Sequence, residues 1–287
     1  MTILRIAAFA DGEIGGNPAG VSIADVLPSA VDMQRIAAGV GFSETAFAAP
    51  CSEGWRVRYF SPESEVPFCG HATIALGAAL ADRDGNGVFT LVLNDATITV
   101  EGQVEEQTQG LARGRRMAAA LQSPGTRSEP AEPALVSRTL ELFGYQDEQL
   151  DAALPAALAF AGANHLVIGL NSREALAAMH YDLDAGRTLM HEAGLVTIAF
   201  VFAETPGYFH VRNAFASGGV LEDPATGAAA AALGGYLRDL GWPHEGEIDI
   251  VQGEDMGARS LLHATIPPEV GASIRVSGAA RFMTTVT

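Results

Sequence analysis

Short runs of β-branched and aromatic residues, bounded by Gly, Pro or Asp, recur through the first half of the chain. They predict strands over 4–10, 21–24, 45–49, 55–60, 88–93 and 97–101. Positions 31–38 predict a short helix ended near Gly39 and Gly41. The stretch 71–82 is different. Ala72, Ile74, Ala75, Leu76, Ala78, Ala79, Leu80 and Ala81 make it apolar almost all round, the pattern of a helix with no solvent face.

Positions 123–133 are rich in Pro, Ser, Glu and Gly and read as a linker between domains. Beyond it, 134–143 predicts a helix stopped by Gly144, and 185–193 another stopped by Gly194. Strands are expected at 166–169, 196–203, 208–213, 247–251, 260–266, 273–276 and 281–286. Between them, 226–240 is a second Ala-rich helix with almost no polar face, ending at Gly241. Each half therefore has strands, one small-residue helix buried on every side, then more strands. A sheet buries such a helix only by curling around it, and small side chains let the strands approach. The expected class is α+β: two pseudo-symmetric domains, each a curled mixed sheet around a central helix. The boundaries are 1–122, completed by the last strand at 277–287, and 123–276. A length of 287 residues is large for one core and agrees with two.

Composition narrows the function. Apolar residues make up 48 % of the chain, enough for sizeable cores. The formal charge is −17, from 17 Lys+Arg against 34 Asp+Glu, so nucleic acid and anionic membrane surfaces are poor partners. The one dense basic run, Arg113, Arg115 and Arg116, is too short for a nucleic-acid groove. Two cysteines, Cys51 and Cys69, make no disulfide framework and no zinc-type spacing. The N-terminal residues do not resemble a signal peptide, and a cytoplasmic location is expected.

Phosphate loops, nucleophile elbows, His-Glu-x-x-His and dinucleotide fingerprints do not occur, so no organic cofactor or metal is signalled. Candidate chemistry lies at the two helix openings, Pro67-Phe68-Cys69-Gly70-His71-Ala72 and Asp223-Pro224-Ala225-Thr226-Gly227-Ala228. A helix N-terminus presents unpaired N–H groups and partial positive charge, suited to a carboxylate or an oxyanion. Glu44, between Phe42 and Phe47, is placed where partial desolvation suits a carboxyl group to exchange protons near neutrality. Each residue also has a plain structural reading: Glu44 as a loop carboxylate, His71 as a core histidine, Asp223 as an N-cap before Pro224, Cys69 as a buried inert thiol.

Taken in order, Gly16-Asn17-Pro18-Ala19, Ser43-Glu44-Thr45-Ala46-Phe47, Tyr59-Phe60-Ser61-Pro62 through Pro67-Phe68-Cys69-Gly70-His71-Ala72-Thr73, Glu222-Asp223-Pro224-Ala225-Thr226-Gly227, Gln252-Gly253 and Arg259-Ser260 resemble the PhzF-like family of phenazine biosynthesis. The resemblance implies the fold of diaminopimelate epimerase, a site at the domain interface, no cofactor and a homodimer. It implies an isomerase that moves a proton on a small cyclic or amino-acid-like carboxylate. Glu44 would carry the proton, with His71 and Asp223 as polar partners. Asn17, Ser43, Gly70, Ala72, Thr226, Gly227 and Ala228 would bind substrate. In one respect the chain departs from the phenazine-pathway enzymes, which tend to carry Ser after the Thr-Gly pair where this chain has Ala228.

Two other readings remain open at this level. A two-base epimerase would need a thiol at each helix opening, but here Cys69 occupies the first and Thr226 stands at the second, and a threonine hydroxyl is too weak an acid or base to replace a thiolate. A binding protein of the same fold would keep the cleft without turnover.

Overall fold

The computed structural model describes residues 2–109 and 112–283. The chain divides into two compact units, 1–122 with 277–287, and 123–276. The end of the strand expected at 281–286 lies outside the described residues.

In the first unit the elements are β1 (Leu4–Ala8), β2 (Asn17–Ile23), α1 (Ala30–Val40), β3 (Glu44–Cys51), β4 (Gly54–Phe60), β5 (Glu65–Val66), α2 (Gly70–Asp84), β6 (Gly87–Val92), β7 (Thr97–Gln109) and β8 (Ala112–Gly125). Along β1-β2-β3-β4-β6-β7 the pairings alternate: antiparallel, parallel, antiparallel, parallel, antiparallel. Each parallel step needs a crossover, and α1 and α2 supply the two. The chain turns from α1 into β3 at Gly41, whose φ of 74° is the left-handed conformation that glycine adopts without a Cβ penalty.

The second unit contains β9 (Arg127–Pro130), α3 (Pro133–Phe143), β10 (Ala157–Phe160), β11 (Asn164–Gly169), α4 (Arg173–Ala177), α5 (Leu183–Glu192), β12 (Thr197–Thr205), β13 (Tyr208–Ala214), α6 (Gly227–Leu240), β14 (Glu247–Gln252), β15 (Ser260–Thr265) and the start of β16 (Ser273–Phe282), which passes into the first unit at Ser277. The same alternation recurs along β10-β11-β12-β13-β14-β15. Here α4 and α5 make the first parallel crossover and α6 the second. The chain thus repeats one plan, and its fold class is the mixed α+β arrangement expected from the two apolar helices.

Those helices are the centres of their units. Residues 71–81 of α2 are all buried, and the helix packs on β7, β2, β1 and β3. Small residues are a steric requirement there. A Cβ at Gly77 would lie 2.5 Å from Val100 Cγ2, and one at Gly102 of β7 would collide with the Gly77 carbonyl oxygen. In the second unit α6 is enclosed by β9, β10, β15, β11 and β14. A Cβ at its Gly235 would meet Thr126 Cβ at 2.6 Å.

Two expectations are corrected, and one strand was not expected at all. Positions 123–133 are not a loose linker: they finish β8, form β9 and begin α3. Their polar residues are hydrogen-bonded structure, since Ser123 Oγ accepts from the Ile274 amide and Thr126 Oγ1 donates to the Ala272 carbonyl. The strands expected at 273–276 and 281–286 are joined as one strand across Gly278. Finally, β8 fills a stretch for which the hydropathy pattern predicts nothing.

Candidate active site

In the first unit, two elements converge. Glu44 is the first residue of β3, and His71 lies in the first turn of α2. Glu44 Oε2 stands 3.4 Å from His71 Nε2, with side-chain exposures of 17 % and 7 %. Ser43 Oγ is also 3.4 Å from Nε2. On the ring's other side Cys69 Sγ lies 3.4 Å from Nδ1. The carboxylate therefore has a partner able to donate or to accept a proton, in a mostly dehydrated setting where such contacts gain strength.

The opening of α2 is fixed from behind. Thr73 Oγ1 donates to the Cys69 carbonyl at 2.7 Å, and the buried Tyr59 hydroxyl is 2.7 Å from Thr73 Oγ1. Burial pushes the Tyr59 pKa up, so this hydroxyl stays protonated and donates to Thr73. The first helical bond runs from the Thr73 amide to the Cys69 carbonyl. The amides of Gly70, His71 and Ala72 consequently have no intrahelical acceptor. Cys69 at the N-cap supplies no side-chain bond, and the first turn has no acid. By contrast α1, α4 and α5 are capped by Ser29, Ser172 and Asp182. Gly70 does not relieve crowding, for a Cβ there would meet nothing within 4 Å. Asn17, at the start of β2, is buried and occupies the strand next to Glu44's own.

The second unit builds a different opening at the same topological place. Its helix α6 begins at Gly227 with Thr226 at the N-cap, again with no side-chain cap and no acid in the first turn. Asp223 is therefore not the N-cap expected from its place before Pro224. Its carboxylate Oδ2 accepts from the Thr226 hydroxyl at 2.5 Å. That hydroxyl oxygen accepts from Asn213 Nδ2 at 2.5 Å and from Gln252 Nε2 at 3.1 Å. Gln252 also donates to the Asp223 carbonyl at 2.7 Å. Asn213, Gln252 and Asp223 are 0 %, 1 % and 9 % exposed, so the network is internal. Gly253 is fixed by sterics: its φ is 73°, and a Cβ would lie 2.8 Å from the Pro224 carbonyl oxygen. Ala228 is partly exposed in the first turn of α6, beside the buried Gly227.

Within the first unit, then, the structure brings Glu44, Ser43, His71, Gly70 and Ala72 together around one helix opening. Within the second it gathers Asp223, Thr226, Gly227 and Ala228 around the other. Sequence reasoning missed Asn213 as a holder of Thr226. It also missed the side-chain role of Gln252, although the Gln252-Gly253 pair carried part of the resemblance. Cys69, read as an inert thiol, touches the His71 ring.

The comparisons with known proteins define the class: an isomerase, on a fold with two uncapped central helices. The model of the phenazine biosynthesis-like (PhzC-PhzF) proteins matches residues 6–285, and the chain belongs to that family. It is 33 % identical over 264 residues to a trans-2,3-dihydro-3-hydroxyanthranilate isomerase of Pseudomonas chlororaphis, covering 90 % of this chain and 88 % of that one. A PhzF-family protein of Bacillus anthracis superposes with a TM-score of 0.82 at 22 % identity, covering 98 % of this chain and 96 % of that one. A probable proline racemase of Agrobacterium radiobacter shares the fold at a TM-score of 0.60 and 10 % identity, covering 99 % of this chain and 92 % of that one.

Proposed function

We propose that this isomerase works without a cofactor and moves a proton between two carbons of a small cyclic or amino-acid-like carboxylate. The observation that carries the reading is the Glu44–His71 contact of 3.4 Å at the uncapped opening of α2. Glu44 takes a proton from a carbon beside an electron-withdrawing group and returns it at a second carbon. His71, in contact with the same carboxylate, holds it in the orientation and protonation state each half-step needs. The amides of Gly70–Ala72 receive the substrate carboxylate or the charge that develops on it. By the family resemblance, Asp223 and the amides of Gly227–Ala228 serve the same reaction. The dihydro-hydroxyanthranilate named for the Pseudomonas chlororaphis relative is one candidate substrate. Ala228 offers only its backbone N–H there, so a substrate that needs no hydroxyl contact at that point suits this chain.

A two-thiol epimerase mechanism is not supported: the N-cap of α6 is Thr226, whose hydroxyl is committed to Asp223.

Substrate class is tested by comparing trans-2,3-dihydro-3-hydroxyanthranilate, cyclic amino acids and their carboxamides in isomerisation assays. Turnover of at least one free acid and loss of turnover in its amide is the expected result. Equal turnover of acid and amide would overturn the carboxylate-binding role of the helix openings.

A further inference from the structure

Glu222 belongs to a segment that carries the family resemblance, yet the proposed reaction gives it no part. Its carboxylate is buried in an ion pair with Arg212 of β13, with side-chain exposures of 5 % and 13 %. Arg212 holds it with a fork. Nε donates to both carboxylate oxygens at 3.2 Å, and Nη2 donates to Oε2 at 2.6 Å. Nη1 donates to the carbonyl oxygens of Ala177 and Met179, at the end of α4 and just beyond it, at 2.9 and 3.1 Å. The guanidinium therefore fastens Glu222 to a second element, through directional bonds that a lysine ammonium does not reproduce.

The backbone beside this fork holds the next residue. Ala214 of β13 faces Glu222 across an antiparallel bridge. The Phe215 amide donates to the Leu221 carbonyl at 3.3 Å, and the Asp223 amide donates to the Asn213 carbonyl at 3.1 Å. The Tyr181 hydroxyl adds a bond to the Leu221 carbonyl at 2.6 Å. Asp223 is thus the first residue past a short clamped bridge, and the fork secures that bridge through a side chain. Apolar side chains of similar size often stabilise such a place as well as a buried ion pair does. They do not fix a direction, and the fork does.

We propose that Arg212 and Glu222 are positioning residues for the isomerisation: their ion pair sets the place and direction of the Asp223 carboxylate. The proposal rests on the reading of Asp223 as a participant in the reaction. Neither Arg212 nor Glu222 needs to touch substrate. The pair fixes Asp223 from its N-terminal side, and the Thr226 hydroxyl and Gln252 fix it from the other.

Variants of the full-length protein test this, assayed with a substrate the enzyme turns over. Glu222→Gln keeps the side chain's shape, but its NH2 group cannot accept from the fork. Arg212→Met/Glu222→Met removes both charges together, so neither is left buried without a partner, and it keeps the test open if Glu222→Gln does not fold. The double variant should melt near wild type. In both proteins kcat should fall by about 10- to 100-fold, the scale of a misplaced reacting group, while KM moves less. In an Asp223→Asn background, Glu222→Gln should add little further loss, because the pair acts through that carboxylate. Wild-type kcat in either folded variant, a loss confined to KM, or a full further loss in the Asp223→Asn background would overturn the positioning role. Failure of both variants to fold would make the pair a requirement of folding and overturn it as well. Full activity of Asp223→Asn would instead overturn the reading of Asp223 on which the proposal rests.

Discussion

Replacing Thr226 by Val keeps the side chain's shape and removes only the hydroxyl, which makes it a sharp probe of the second helix opening. That hydroxyl donates to Asp223 and accepts from Asn213 and Gln252. Gln252 Nε2 retains the Asp223 carbonyl, so its loss is partial. The Asp223 carboxylate and the Asn213 amide each lose a bond inside the protein, where water cannot easily replace it. A buried polar group left without its partner costs about 1–3 kcal/mol, and more when charged. Asp223 has further contacts, so the Asn213 amide carries the penalty, a destabilisation of roughly 1–3 kcal/mol, or on the order of 2–6 °C in Tm for a chain of this size. Thr226→Ser is the control. It keeps the hydroxyl, drops one methyl and should cost about 1 kcal/mol. Thermal melts followed by circular dichroism, with both variants beside wild type, decide the matter. A Thr226→Val protein that melts no lower than Thr226→Ser would refute the internal network as the support of Asp223.

Other outcomes follow from the same structure. Complete burial lowers the His165 pKa to about 4, against an ordinary value near 6.5, so the unfolded chain binds the proton more readily. Stability is then intact above pH 6.5 and falls as pH drops toward 4, by roughly 2 kcal/mol at pH 5; His165→Gln should lose that share of the pH 7-to-5 shift in urea midpoint, and an unchanged shift would contradict it. Gly102→Ala drives a Cβ into the Gly77 carbonyl and should cost about 3 kcal/mol or more in a urea melt, because backbone cannot yield there. Gly70→Ala meets no atom, so it should melt within about 0.5 kcal/mol of wild type. The same variant should raise KM if substrate approaches the α2 amides, and an unchanged KM would remove Gly70 from the binding surface.

Much of the fold was legible because two segments lacked any polar face. A run such as Ala72 to Ala81 has no stable place except enclosed by strands, and two of them imply two such enclosures. The missed elements share a cause. In β8, Arg115 and Arg116 precede Met117 and a run of alanines, so no alternation marks it as a strand. Ser123 and Thr126 look like linker residues by type, yet both are buried and hydrogen-bonded. The candidate site was legible only in pieces. Glu44 and His71 are far apart in sequence, and topology alone brings them together. The β3 register places Glu44 opposite Ala19 of β2, while α2 crosses back to present His71. Asn213 carried no local signal, and Gln252 none for its side-chain role, since an amide that holds another side chain looks like any polar residue in a strand.

The central claim is that Glu44 transfers a proton to and from substrate carbon. It is tested by following deuterium from D2O into product by mass spectrometry, with wild type, Glu44→Gln and a substrate the enzyme turns over. Wild type should incorporate solvent deuterium at carbon, and Glu44→Gln should lower the rate by about 100-fold or more, the usual scale of a general acid–base contribution. Incorporation by Glu44→Gln at the wild-type rate would contradict the account.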